Sequence, residues 1–128
     1  TQLLRRSSLY RSAPIDSSGP DYLNAVAELR TGLAPLELLR ELQAIENCHG
    51  RERPYRNAPR TLDLDLLLHD EQTLDTPALT LPHPRLQQRA FVLRPLAELS
   101  PQLQVPGHGP VAALLDQVSD QAIERLDP

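Results

Sequence analysis

Two aspartates separated by one residue, Asp63 and Asp65, are the sharpest chemical feature of this 128-residue sequence. They lie in the apolar run 61–68, which predicts a buried strand, and residues two apart in a strand point the same way. Two carboxylates on one face repel each other unless a cation offsets their charge. Mg²⁺ suits such a pair, because one or two protein carboxylates commonly hold it together with water and substrate phosphates. The alternative is a solvated pair or one matched by arginines.

Arginines dominate the residues just before this pair. All thirteen basic residues of the chain are arginine, so any phosphate must be held by arginine and a lysine-based phosphate loop is excluded. The ten residues 51–60 hold a single acid, Glu52, and four arginines: Arg51, Arg53, Arg56 and Arg60. Bidentate arginine donors beside metal-binding carboxylates are the two halves of a polyphosphate site. A surface network of ion pairs is the alternative, and this pattern alone leaves both open.

A second group of donors follows downstream, where Pro82 and Pro84 flank His83, with Arg89 a few residues later. The prolines restrict the directions that the imidazole can take. Since no serine or cysteine partner can be identified nearby, His83 is not assigned as a general base.

The elements that must position these residues can be predicted from hydrophobic periodicity and from Pro and Gly positions. A hairpin with a long loop is expected first, with Leu23 and Ala25 on one face of its second strand and the more polar Tyr22 and Asn24 on the other. The next prediction is a helix that begins at Pro35, has Leu38, Leu39, Leu42 and Ile45 at helical spacing and ends just before Gly50. A loop over 51–59, the strand 61–68, a weaker strand at 79–81, a helix over 89–99 despite Pro95 and a short helix from Pro110 are expected after it.

Composition narrows the class of protein. With 40% hydrophobic and 23% charged residues the chain is typical of one globular domain, and no apolar run is long enough to cross a membrane. A net charge of −4 argues against a general nucleic-acid binder. The single Cys48 excludes an internal disulfide and a thiolate zinc site and favours a cytoplasmic location. The absence of methionine and the abrupt start in a strand-like run lead us to expect that the natural N-terminus is missing.

Several short strings now occur together in one order. They are Ser7-Ser8-Leu9-Tyr10-Arg11, Tyr22-Leu23-Asn24-Ala25, Gly50-Arg51-Glu52-Arg53, Pro59-Arg60-Thr61-Leu62-Asp63-Leu64-Asp65, Leu81-Pro82-His83-Pro84 and Arg89-Ala90-Phe91-Val92-Leu93. In this order they resemble the 6-hydroxymethyl-7,8-dihydropterin pyrophosphokinases of folate biosynthesis. The resemblance runs from about residue 7 to residue 106, and the string around the two aspartates is its most specific part.

The resemblance implies a fold, an activity and ligands. The fold would be an α/β (α+β) ferredoxin-like sandwich, with a mixed or antiparallel sheet covered by helices, in a single domain over residues 1–128 that lacks its N-terminal strand and helix. The activity would be transfer of diphosphate from ATP to 6-hydroxymethyl-7,8-dihydropterin, giving AMP and the pterin diphosphate. Two Mg²⁺ ions are expected, in a cytoplasmic monomer without nucleic-acid or membrane partners.

The resemblance also implies a role for each matching residue. The catalytic residues would be Arg51, Arg60, Asp63 and Asp65, of which the two aspartates bind the metal. ATP would be bound by Gln43, Glu46, Arg53, Leu66, Thr80, His83 and Arg89. The pterin would be bound by hydrogen bonds from Asn24 and by stacking on Phe91. Tyr22 and the backbone of Ser12, Ala13 and Ile15 would line its pocket.

One departure from the family pattern is Asn57-Ala58, which stands where the family commonly has Trp-Gly, so an aromatic contact from that loop is lacking. Two alternatives remain beside the enzyme: a non-catalytic ferredoxin-like module that binds an anion or a protein, and a family member without activity. The Asp pair favours the enzyme, because a pure anion binder has no use for two carboxylates beside a cationic loop.

Overall fold

A computed structural model describes residues 1–12, 22–50 and 63–126, with residues 49 and 50 described by their backbone alone. Its elements, in chain order, are β1 (Gln2–Arg6), β2 (Tyr10–Ser12), β3 (Tyr22–Asn24), β4 (Ala27–Arg30), α1 (Pro35–Gly50), β5 (Leu74–Asp75), β6 (Thr80–Leu81), a 3₁₀ turn (Leu86–Gln88), α2 (Ala90–Leu99), β7 (Gln104–Val105), β8 (Gly109–Pro110), α3 (Val111–Asp116) and β9 (Ile123–Arg125). The chain divides into two compact units, which are Thr1–Arg30 with Pro84–Pro128, and Thr31–His83.

The predicted hairpin is present in the first unit, where it is interrupted once on each arm. β1 pairs antiparallel with β4, and β2 pairs antiparallel with β3. Between the two pairs, Ser7 bonds to Val26 in place of a ladder pair. The Ser7 N–H donates to the Val26 carbonyl at 2.8 Å, and the Ser7 Oγ accepts from the Val26 N–H at 2.9 Å. A buried serine side chain therefore replaces one step of the ladder.

One face of this hairpin carries its polar residues, and that face is buried on the β2 side. Tyr10 and Ser12 of β2 are buried, and their register partners across the pair are Asn24 and Tyr22. Leu23, on the opposite face, is 60% exposed. The polar face predicted for the second strand, with Tyr22 and Asn24, is therefore the same face of the hairpin as Tyr10 and Ser12. Helix α2 packs against β2.

The core of the first unit lies among the 3₁₀ turn, α2 and α3. Its fully buried side chains include Leu86, Leu93 and Val111, each 0% exposed. The helix predicted over 89–99 is α2, which continues through Pro95, and the short helix predicted from Pro110 is α3. β9 completes this unit by pairing antiparallel with the free edge of β2.

Helix α1 of the second unit begins at Pro35, as the sequence predicts, and includes Gly50, which was expected just past its C-terminus. The Leu38 N–H makes the first helical bond, to the Ala34 carbonyl at 2.9 Å, and the Glu37 carboxylate accepts the Ala34 N–H at 3.0 Å. The bond from the Ala34 N–H to Glu37 is one of the two bonds that make up a capping box. The residues at helical spacing differ in burial, since Leu38 is buried whereas Ile45 is 43% exposed.

The strand predicted over 61–68 is not formed in its described part. Residues 63–69 join no ladder. Among the described residues their backbone accepts two bonds, from the His83 N–H to the Leu67 carbonyl at 2.9 Å and from the Gln72 N–H to the His69 carbonyl at 3.1 Å. A strand requires successive bonds to a neighbour, which an apolar run by itself cannot supply. The weaker strand expected at 79–81 is present as β6, which pairs with β5.

The α+β class expected from the resemblance is confirmed, with antiparallel strand pairing and helices against it. Within residues 1–12, 22–50 and 63–126, no helix combines the length and the apolar character that crossing a bilayer requires.

Glu98 of α2 ties this helix to the strand side of the first unit. One carboxylate oxygen accepts from the Tyr10 hydroxyl at 2.6 Å, and the other accepts from the Ser8 N–H at 2.9 Å and the Ser8 hydroxyl at 3.2 Å. Burial and then the bond to Glu98 raise the pKa of Tyr10. The Tyr10 hydrogen bond is the largest cause that lowers the pKa of Glu98. The network therefore stabilises a neutral phenol beside an ionised carboxylate.

Tyr10→Phe removes the phenol from this network, and we expect it to lower the free energy of unfolding by about 1–2 kcal/mol at neutral pH, because the bond to a charged acceptor is lost. Because folding lowers the pKa of Glu98, the stability that its bonds contribute is present above the ordinary carboxyl value of 4.5 and is lost as the pH falls below that value. The difference between wild type and Tyr10→Phe should therefore shrink in acid. Urea unfolding at pH 7 and pH 3.5 measures it.

Tyr22→Phe is the matched control, because Tyr22 is 51% exposed. It should change stability little at either pH. Equal stability of Tyr10→Phe and Tyr22→Phe at pH 7 would contradict the role given to Glu98.

Candidate functional site

The two aspartates with which the sequence analysis began lie on the exposed side of their segment. Asp63 and Asp65 are exposed, while Leu64 and Leu66 are half-buried, so the predicted alternation holds although no ladder is formed. Neither carboxylate has a hydrogen-bond or ion-pair partner among the residues that the structure describes. The pair is therefore open to solvent and to a cation.

Glu46 anchors the backbone between these aspartates. Its side chain is on α1 and only 8% of Glu46 is exposed, and its Oε2 accepts the Leu64 N–H at 2.7 Å. A charged acceptor makes this one of the stronger kinds of hydrogen bond. The sequence assigned Glu46 to the ATP pocket and gave no signal of this contact, because the two residues lie 18 positions apart. Helix α1 thus fixes the residue that separates the two carboxylates.

The donor set of this pair fits Mg²⁺ rather than a closed metal centre. In the part of the chain that the structure describes, no group of three or more His, Cys, Asp or Glu side chains could hold a metal ion. Two exposed carboxylates leave most coordination positions to water and to substrate oxygens, which is the usual protein site for Mg²⁺. A structural zinc site would need four protein ligands.

Other residues predicted to bind ATP lie in the same unit. His83 is half-buried, and its N–H donates to the Leu67 carbonyl two residues beyond Asp65. Thr80 is half-buried in β6, and Gln43 is exposed on α1. His83 is thereby tied through its backbone to the segment that carries the aspartates.

The residues predicted to bind the pterin lie in the first unit, with Arg89. Asn24 is half-buried opposite Tyr10, and Ser12 is buried opposite Tyr22. The Ser12 hydroxyl is buried without a hydrogen-bond partner among the described residues. An unpaired buried hydroxyl is costly, so a ligand that bonds to it would recover that cost.

Phe91 and Arg89 form a second pair in this unit. The Arg89 guanidinium carbon lies 5.4 Å from the centroid of the Phe91 ring, and both side chains are half-buried. At that distance the guanidinium is attracted to the ring face. This contact has no signal in the sequence, because residues two apart at the start of a helix are not expected to face each other.

Five predicted site residues lie outside the described residues, together with the Asn57-Ala58 departure: Arg51, Arg53, Arg60, Ala13 and Ile15.

The Glu46 contact can be tested by amide exchange. We expect Glu46→Ala to accelerate exchange of the Leu64 amide about tenfold or more, since a loss of ~1.4 kcal/mol corresponds to a factor of ten. Glu46→Gln keeps an acceptor oxygen and should accelerate it less. Glu41→Ala changes an exposed glutamate of the same helix and serves as the control. Unchanged Leu64 exchange in Glu46→Ala would show that the bond does not hold this segment.

Comparison with known proteins gives a consistent result. Residues 1–101 match the family model described as 7,8-dihydro-6-hydroxymethylpterin-pyrophosphokinase. The chain is 50% identical over 127 residues to a 2-amino-4-hydroxy-6-hydroxymethyldihydropteridine pyrophosphokinase of Pseudomonas aeruginosa, covering 98% of this chain and 78% of the relative. A protein of the same name from Haemophilus influenzae is 43% identical over 129 residues, covering 100% of this chain and 81% of that protein. Another, from Synechocystis, is 44% identical over 125 residues, covering 97% and 64%. The chain belongs to the 7,8-dihydro-6-hydroxymethylpterin-pyrophosphokinase family.

Proposed function

We propose that the aspartate pair and the residues around it carry out, in this chain, the reaction of its family. That reaction is the ATP-dependent transfer of diphosphate to 6-hydroxymethyl-7,8-dihydropterin in folate biosynthesis. The observation that carries the assignment is the exposed pair Asp63 and Asp65, held by the bond from the Leu64 N–H to buried Glu46.

Asp63 and Asp65 would hold Mg²⁺, with two ions expected. The metal supplies charge neutralisation and Lewis-acid polarisation of phosphate oxygens when it is bound. The chain contributes two carboxylates spaced by one residue and a backbone that Glu46 fixes before the ligand arrives. Such preorganisation matters because misplaced ligands lose much of the electrostatic stabilisation of a transition state.

The arginines are proposed to act on ATP, which is the donor of the diphosphate. Arg51 and Arg60 are proposed to stabilise the charge of the transferred group, and Arg53, His83 and Arg89 to bind ATP. Gln43, Glu46, Leu66 and Thr80 are proposed as the rest of the ATP contacts. Phosphoryl-type transfer depends mainly on in-line positioning and charge stabilisation, so the chain needs no covalent nucleophile.

The acceptor side falls to the first unit. Asn24 is proposed to hydrogen-bond the pterin and Phe91 to stack on it, because an amide offers both donors and an acceptor and an aromatic face suits a flat ring. Tyr22 and Ser12 are proposed to line the same pocket, with Ala13 and Ile15. The buried, unpartnered hydroxyl of Ser12 supports this assignment.

We propose a monomer in the cytoplasm as the setting. The lone Cys48 is free and exposed, which suits a reducing compartment.

Asp63→Asn and Asp65→Asn test the central assignment. Each should lower kcat by about a hundredfold or more, because a charge that stabilises the transition state is removed. The fold should survive, since neutralising one of two exposed like charges does not destabilise it. AMP release measured with ATP, pterin and Mg²⁺ gives kcat, and thermal unfolding reports the fold.

Asp116→Asn removes an exposed aspartate elsewhere and should leave both measurements unchanged. Mg²⁺-dependent AMP formation at the wild-type rate in either Asp63→Asn or Asp65→Asn would refute the assignment.

Arg51→Ala and Arg60→Ala test the donor side. We expect each to lower kcat by about a hundredfold while pterin affinity changes little, because the proposed role arises with the charge of the transferred group. Calorimetric titration with the pterin separates binding from turnover. Arg40→Ala, an exposed arginine of α1, is the control. A defect confined to pterin affinity would place these arginines elsewhere.

A further inference from the structure

The start of α2 has an uncommon cap. The N-cap residue is Arg89, whose side chain makes no capping hydrogen bond. A guanidinium has donors and no acceptor, so it cannot satisfy the N–H groups at the start of a helix. Those groups need an acceptor from another part of the chain.

Gln121, more than thirty residues downstream, supplies that acceptor. Its Oε1 accepts the Ala90 N–H at 2.9 Å, and its Nε2 donates to the Gln88 carbonyl at 2.8 Å. One side-chain amide therefore bonds to the backbone on both sides of Arg89. The Arg89 carbonyl is held as well, since it accepts from the N–H groups of Val92 and Leu93.

The direction of the Arg89 side chain depends on this backbone. Arg89 is extended, with φ −126° and ψ 110°, between the 3₁₀ turn and α2, and its guanidinium lies over Phe91. A change in the dihedral angles at the junction would move the far end of a side chain this long by several times the shift of its Cα. The Gln121 amide restrains both peptide groups that define those angles.

We propose that Gln121 is a positioning residue for ATP binding, which acts by fixing the backbone on either side of Arg89 and so the place of its guanidinium. The proposal rests on the role proposed above for Arg89 as an ATP ligand. Gln121 itself lies beyond residues 1–101, which match the family model.

Gln121→Met is the first test, because methionine has a similar length and no strong donor or acceptor. We expect KM for ATP to rise about tenfold with kcat changed less than about twofold, since displacing a binding group by ~1 Å is costly. A merely structural role would reduce the folded fraction, which lowers apparent kcat and leaves KM unchanged. Gln117→Met alters an exposed glutamine in the same way and should change neither constant.

A double-mutant cycle with Arg89→Ala decides whether Gln121 acts through Arg89. Once the guanidinium is absent, Gln121→Met should not raise KM for ATP further, so the double variant should match Arg89→Ala. An additional rise of the same factor in the double variant would overturn the proposal.

The outcomes separate this proposal from the function proposed above. If Arg89→Ala raises KM for ATP and Gln121→Met does not, the positioning role is wrong and the ATP role of Arg89 stands. If Arg89→Ala leaves KM for ATP unchanged, both are wrong. Should Gln121→Met fail to fold, Gln121→Glu takes its place in the cycle. It keeps the acceptor for the Ala90 N–H and loses the donor to the Gln88 carbonyl, so we expect a smaller rise in KM for ATP. An unchanged KM for ATP in Gln121→Glu would overturn the proposal.

Discussion

Backbone N–H and C=O groups without a partner in a helix or ladder must find one elsewhere, and this constraint shapes three places among the described residues. Ser7 bonds to Val26 where the hairpin is interrupted, Glu46 accepts the Leu64 N–H between the two aspartates, and Gln121 bonds on both sides of Arg89. In each case a side chain distant in sequence replaces a ladder or cap bond. The chemistry-bearing residue beside it is then fixed without regular secondary structure.

The hydrogen bond from the Leu64 N–H to Glu46 leaves the neighbouring aspartate side chains free of that contact. The anchoring bond is made to the backbone of Leu64 and not to Asp63 or Asp65, so it leaves both carboxylates available for the proposed metal ion. Glu46 is nearly buried and satisfied by that N–H, whereas the aspartates are exposed, where water screens their mutual repulsion. Burial and hydrogen bonding thus separate the role of Glu46, which anchors the backbone, from the proposed role of Asp63 and Asp65, which is to bind a metal ion.

Periodicity predicted the helices well and the ladders poorly. Both ends of α1 and α2 and the start of α3 could be predicted closely, because proline, glycine and apolar spacing act within a few residues. Local signals of this kind cannot decide whether the run 61–68 forms a strand, because a ladder depends on a partner far along the chain. Among site residues, the alternation of Asp63 and Asp65 with Leu64 and Leu66 was predictable from the pattern. The anchoring roles of Glu46 and Gln121 were not, because long-range hydrogen bonds leave no local signal.

The composition of the chain fits a reaction that proceeds by positioning. With arginine as its sole strongly basic residue type, the chain would bind phosphate through groups that stay protonated at any physiological pH and offer planar, bidentate donors. A planar donor is more sensitive to orientation than a point charge such as an ammonium group, because both of its bonds form only when the plane is correctly placed. A chain that relies on arginine must therefore control the backbone from which each guanidinium extends. The two bonds from Gln121 around Arg89 meet that requirement where the helix cap itself cannot.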